Sequence, residues 1–392
     1  MQSQIAERPP AVDFDHHDQG LAERIHQVYR ELREDHPIQW TERHGGYWVV
    51  TGYEALHTIA NDPEHFSSAG AFIPDITGGM LLIPQQIEDP EHRVYRTLLR
   101  DWFTPRRIAS FEPRVRTITR QLLEQLQPPA DLVSEFAVPL PVEVILRVLG
   151  VQERELKPIS EAVKAITEGT GADPSAVVDG YHAAIAFIRD AVLAPLRDTP
   201  GDDLLSFLLG KQPEMEFLDD DTIARIGFSM IGAGFDTTSK TLSSSLAFFA
   251  ESAELQQRAR TAPLPVVVEE MLRVVAPVTS GRLVLADREV AGRQLRAGDR
   301  VLLAWPAASR DPALFADPEA VQFSGGPNPH VAFGTGIHRC LGMHLARLEL
   351  RVAFEELFCA FESFTLAEGA RPRFAQGPVW GAVSLPVTFV RR

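Results

Sequence analysis

At 392 residues the chain is long enough for two or three domains of ~150 residues and for a large buried core. Its 45% apolar and 23% charged content is that of a soluble globular protein, which excludes intrinsic disorder and a fibrous architecture. The 38 Lys and Arg against 53 Asp and Glu leave a net charge of −15, which argues against nucleic acid or an anionic membrane as partner of the whole molecule. Two cysteines, Cys340 and Cys359, are too few to staple such a chain and suit a reducing compartment. Met1 to Asp18 has no signal-peptide core, and no apolar run reaches the ~18 residues that span a bilayer, so a cytoplasmic protein is expected.

Leu21 to Glu34 has helical spacing. After Gly45-Gly46, the aromatic and β-branched run Tyr47 to Thr51 reads as a hairpin strand. Between Ser67 and Pro90, glycines and prolines are too dense for one regular element and suggest a functional loop, the wall or lid of a pocket. Helical patterns dominate from Glu91 to Arg197, with breaks at Pro105, Pro128-Pro129, Pro139 and Pro141. A long helix is predicted from Asp219-Asp220-Asp221, whose carboxylates suit an N-terminus, to about Ser252. At ~1.5 Å per residue it measures on the order of 50 Å. A shorter helix covers about Val266 to Val275 and stops before Pro277. Strand signals alternate with turns from Leu283 to Leu303, and a last helix is predicted from Cys340 to Phe361. No repeat or linker divides the chain. The expectation is a mainly α protein with a minor β region at about 37–70, 283–303 and 375–390, forming one domain over residues 1–392.

The most informative stretch is Phe333-Gly334-Thr335-Gly336-Ile337-His338-Arg339-Cys340-Leu341-Gly342, a Gly-rich turn that delivers a cysteine to the predicted start of a helix. A helix N-terminus offers free N–H groups and a positive dipole end, so it favours thiolate over thiol and makes Cys340 a candidate iron ligand. Gly334 and Gly336 permit turns closed to larger residues, Gly342 lets a flat cofactor lie close, and Phe333 can shield the sulfur. A structural cysteine and a phosphate cradle are the alternatives. The cradle lacks its third glycine, because Arg339 stands there.

The complete pattern F-x-x-G-x-H-x-C-x-G resembles the haem-thiolate signature of the cytochrome P-450 family. The resemblance implies that family's fold, with haem b between a long central helix and the cysteine loop, and Cys340 as the metal ligand. The Gly232-Ala233-Gly234-Phe235-Asp236-Thr237-Thr238 run in the predicted long helix breaks helix preferences at its centre, which fits either close packing or a site. It resembles the family's A-G-x-D-T-T motif, in which an acid and an alcohol beside a helix distortion deliver protons during oxygen activation, so Asp236 and Thr237 inherit the catalytic roles and Ala233 lies against the haem.

Glu270 and Arg273 stand one helical turn apart, a spacing common on solvated helices, and resemble the family's E-x-x-R structural pair. The arginine that usually completes that network is replaced by Gly325. His92 and Arg96 have i, i+4 spacing and form either a solvated face or, by resemblance to the segment D-P-P-E-H-x-x-x-R, ligands for the haem propionates, with Arg282 and His338 as further candidates. Family positions place the substrate pocket on the loop from Ala69 to Ile87, including Ile83, and on Gly232, Ala233, Val278, Thr279, Val379 and Trp380, with helices around Ile166 to Ile188 contributing. These residues are mostly apolar and suggest a small or medium hydrophobic substrate.

The resemblance covers about Trp40 to Phe389 and is greatest to the soluble bacterial branch that includes the camphor hydroxylase. It implies a monooxygenase that uses dioxygen and electrons from a ferredoxin and its reductase, acting as a monomer. Arg93, Arg100, Arg106, Arg107, Arg339 and Arg347 are either scattered solvated charges or a docking face for that donor. His16, His17 and His57 read as surface or turn residues, and Cys359 as the end of a buried helix face. The rival functions are a haem-thiolate enzyme of atypical chemistry, such as coupling, peroxide use or nitration, and a non-catalytic haem sensor or carrier.

Overall fold

A computed structural model describes residues 8–75, 79–151 and 174–392. The element that organises it is the helix Asp220–Glu251, 32 residues long, which begins one residue inside the predicted acidic run. Asp219 caps it by accepting the N–H of Thr222 at 2.7 Å, while Asp220 and Asp221 complement the dipole in its first turn. This central helix is buried on most sides, as a helix running through the middle of a large core must be. Its two central glycines differ in what surrounds them. At Gly234 a Cβ would lie 3.0 Å from Ile145 on the neighbouring helix Pro139–Leu149, so glycine is required for close packing. At Gly232 no heavy atom of the described residues lies within 4 Å of that position.

The β region gathers five strands in the order Ile38–Thr41, Tyr47–Val50, Arg300–Ala304, Thr279–Val284 and Phe66–Ser67. Tyr47–Val50 runs parallel to Arg300–Ala304, and the other neighbours are antiparallel. A smaller apolar cluster fills the space beside this sheet, with Trp40, Trp48, Leu56, Phe66 and Trp305 among its members, and the main core surrounds the central helix.

Three boundaries differ from expectation. The region 37–70 contains the helix Tyr53–Ala60, and the second β region starts at Thr279, ahead of Leu283. The last helix is Met343–Ala360, and Phe361–Leu366 becomes a strand paired with Pro386–Arg391. Its two buried residues, Phe361 and Phe364, stand three apart, a helix-like spacing that continues the helical pattern across the junction although the backbone has become a strand. No helix among the described residues is long and apolar enough to cross a membrane.

Candidate active site

The loop carrying Cys340 is held by its own backbone. Gly334 donates to Val331 O at 2.9 Å, Arg339 to Gly336 O at 3.2 Å and Cys340 to Phe333 O at 2.8 Å. Gly334 and Gly336 adopt φ of +70° and +74°, and at Gly336 a Cβ would collide with Ala60 O at 2.3 Å. These turns allow the loop to cross the end of the helix Tyr53–Ala60.

Cys340 precedes the first helical residue, Met343, so the expected placement at the helix start is corrected. The expected thiolate preference is corrected too. Burial pushes the Cys340 thiol up, and the Gly342 backbone N–H with the charges of Arg96, Arg347 and Arg339 opposes that without reversing it. Burial thus favours the thiol, and a bound metal cation would supply the charge that favours the thiolate.

On the central helix the segment Gly232–Phe235 and Thr237 are partly exposed, although the residues on either side are largely buried. The helix is therefore less closely covered at this point than on either side. Asp236 is 7% exposed, and Thr237 Oγ1 donates to Ala233 O at 2.9 Å. The expected distortion is absent: the helix runs unbroken, and Ser239, Thr241 and Ser245 bond back to carbonyls one turn earlier in the same way.

The four predicted propionate ligands are drawn towards one region. The rings of His92 and His338 lie 4.3 Å apart, and Arg96 donates to Arg339 O in the cysteine loop. Burial, with the charges of His338 and Arg96, pushes His92 down to about 4. Arg282 is 5% exposed, and burial lowers it to about 10 against the field of Glu88. Glu88 was missed by sequence reasoning. It accepts the hydroxyls of Ser67 at 3.0 Å and Ser68 at 2.7 Å and the Ser68 N–H, and stands 3.6 Å from His338 Nε2. Burial raises its carboxyl, but His338 and these serines outweigh that and hold it down to about 2.

The predicted pocket walls also meet. Val278 bridges Val379, Thr279 N–H donates to Pro378 O at 2.9 Å, and Trp380 N–H to Pro277 O at 2.8 Å. The Trp380 indole donates to Ala22 O at 2.7 Å and stacks on Phe374, 5.1 Å between centroids. Ile83 is buried on the loop. Ile166 lies outside the described residues.

Glu270 and Arg273 form a pair buried to 3% and 2% exposure, with two N–H···O contacts of 2.9 and 2.8 Å. Arg273 also donates to Pro318 O and Ala320 O, both at 2.7 Å. The place left by the missing arginine is answered by Asn328, whose amide reaches Glu270 Oε2 at 3.1 Å, and by Gln322 N–H at 2.7 Å. Of the six docking arginines, Arg93 is paired with Asp89, Arg107 with Asp202 and Arg347 with Glu269, while Arg100, Arg106 and Arg339 are exposed. Two further expectations fail. His16 is 1% exposed, with Nδ1 3.1 Å from Tyr47 Oη, and Cys359 is exposed.

A cysteine on a Gly-rich loop, an acid and an alcohol on a partly uncovered stretch of the core helix, and the buried cation Arg282 near His92, His338 and Arg96 fit a haem-thiolate site. The donor chemistry fits haem. His338 Nε2 is buried with only Glu88, 3.6 Å away and beyond hydrogen-bond distance, near it, and Arg282 is a buried cation, both of which a propionate would answer, while no described atom would meet a Cβ at Gly232, which leaves room beside a flat ring. The family model for cytochrome P450 matches residues 142–262 and 263–389. The chain is 30% identical to cytochrome P450-terp of Pseudomonas sp, over 95% of this chain and 96% of that protein. It is 32% identical to pentalenic acid synthase of Streptomyces avermitilis, over 92% and 94%. A mutant of P450 EryK solved in complex with erythromycin B superimposes with a TM-score of 0.85 at 30% identity, covering 95% of this chain and 97% of that one. The chain belongs to the cytochrome P450 family. Its members are haem b oxidoreductases that use an organic substrate, dioxygen and a redox partner.

Proposed function

We propose that the protein hydroxylates a small or medium hydrophobic substrate, as a cytoplasmic monomer whose whole chain serves one catalytic unit and receives electrons from a ferredoxin and its reductase. The observation that carries this is the presence of Asp236 and Thr237 on the partly uncovered stretch of the central helix. Haem b, bound through Cys340, supplies oxygen activation and oxidation of the substrate carbon. His92, Arg96, Arg282 and His338 hold its propionates, and Phe333 keeps water from the sulfur. Asp236 relays protons, and Thr237 Oγ1, released from Ala233 O, passes them on. Ile83, Gly232, Ala233, Val278, Thr279 and Val379 orient the substrate, with Trp380 fixing the wall behind them.

Thr237→Ala is expected to leave the haem spectrum intact while product per electron pair falls several-fold and hydrogen peroxide rises to match. Equal product yield in variant and wild type, measured against consumed reductant, removes Thr237 from proton delivery. The donor surface is tested at Arg106, because Arg107 is already neutralised by Asp202. Arg106→Glu should slow reduction by a ferredoxin at low salt, with the difference shrinking as the Debye length falls to ~8 Å near 0.15 M salt. Identical rates at every salt concentration count against a docking face that includes Arg106.

A further inference from the structure

Two adjacent glutamates on the helix Leu264–Val275 hold the chain around Cys340, and the pair read from the sequence uses only Glu270. Glu269 accepts two N–H groups of Arg347, at 2.6 and 2.8 Å, and stands 3.1 Å from His330 Nε2. Burial acts to raise the Glu269 carboxyl, but Arg347 and His330 outweigh it and hold it down to about 2, so it is a carboxylate at neutral pH. Three separate stretches meet in this knot: the helix Leu264–Val275, the segment leading into the cysteine loop through His330, and the helix Met343–Ala360 through Arg347. The Arg347 guanidinium also lies 4.6 Å above the centre of the Phe333 ring, and its charge acts on Cys340. With Nε and Nη2, two of its three nitrogens, committed to the Glu269 fork, the guanidinium cannot be shared with a docking partner at no cost. Arg347, half-buried and bound to Glu269, is therefore assigned to support of the loop rather than to the donor surface.

We propose that Glu269, Arg347 and His330 form a second brace for the cysteine loop, beside the network that lost its arginine at Gly325, and that Arg347 is a positioning residue holding Phe333 and a fixed positive charge against the sulfur side of the haem. A cation there favours the electron added to iron, and Glu269 moderates it. The two residues consequently have opposite effects on the reduction midpoint, which a purely structural contact does not produce.

The test uses the haem-loaded protein and two measurements: a dye-equilibrated titration of the ferric/ferrous midpoint, and loss of the thiolate-type Soret band of the ferrous–CO complex on stepwise warming. Arg347→Gln should move the midpoint negative and speed loss of the band several-fold. Glu269→Gln should move the midpoint positive while also speeding loss of the band. Arg347→Lys should restore the midpoint but not the resistance to warming, because an ammonium cannot make the fork. The double variant should lose the band no faster than Arg347→Gln alone. Midpoints that shift in the same direction in Arg347→Gln and Glu269→Gln, or do not shift, overturn the proposal. If Arg347→Gln does not retain haem, Glu269→Gln and Arg347→Lys decide it, and two wild-type midpoints with wild-type persistence overturn it. The proposal rests on Cys340 as iron ligand. A wild-type CO complex lacking the thiolate-type band overturns that reading and the brace with it, whereas inert variants of a protein that shows the band overturn the brace alone.

Discussion

Cys340→Ser is expected to abolish the thiolate-type Soret band of the ferrous–CO complex and to lower product formation more than ~100-fold, beyond the ~10–100-fold that changes around a metal's ligands cost. The backbone bond from residue 340 to Phe333 O and the turns at Gly334 and Gly336 do not depend on the side chain, so the loop should keep its course. Cys359 offers no substitute. It is exposed, 16 residues beyond Met343 along the same helix, about 24 Å at ~1.5 Å per residue. A serine variant that keeps the band would mean that another residue ligates the iron, and the assignment of Cys340 would fall.

The second large effect concerns stability. Glu270→Ala leaves the Arg273 guanidinium buried without its carboxylate, and breaking a buried pair in this way costs about 3–5 kcal/mol. The Gln322 N–H and the Asn328 amide lose their acceptor in the same step. Asn328→Leu removes one hydrogen bond to a charged group and is expected to cost about 1.5–3 kcal/mol. Denaturant unfolding of both variants checks the order, and a Glu270→Ala protein within ~1 kcal/mol of wild type would show that the pair does not brace the fold. Arg273 retains its bonds to Pro318 O and Ala320 O, which keeps the expected loss below that of a wholly stranded charge.

The parts of this molecule legible in its sequence are those encoded within a few residues. The cysteine loop, the Glu270–Arg273 turn and the acidic start of the central helix each carry their signal locally, and Asp219 proved to be the cap residue of the predicted run. What escaped depends on chain segments far apart. Asn328 reaches Glu270 across 58 residues, and Arg347 reaches Glu269 across 78. No spacing rule reports such a partner. Glu88 is nearer, 20 residues from Ser68, but its role arises only when the loop folds back on the strand Phe66–Ser67. His16 looked like a turn residue because its neighbours are polar, yet Tyr47 from a β-hairpin closes over it. Cys359 failed for the opposite reason: it stands beside buried Leu357 and Phe358, but the last turn of the helix brings it out to solvent. The thiol's raised proton affinity was hidden by a local rule about helix ends, which burial overrides.

The two glycines at the middle of the central helix separate inheritance from opportunity. Residue 234 is committed to the fold, since any side chain there meets Ile145. At residue 232, little more than half a turn away, an added Cβ meets no atom of another described element within 4 Å. Substitutions accumulating at 232 reshape the interior face while leaving the helix–helix contact alone, so a lineage of such proteins can explore new ligands at one position without first having to refold around another.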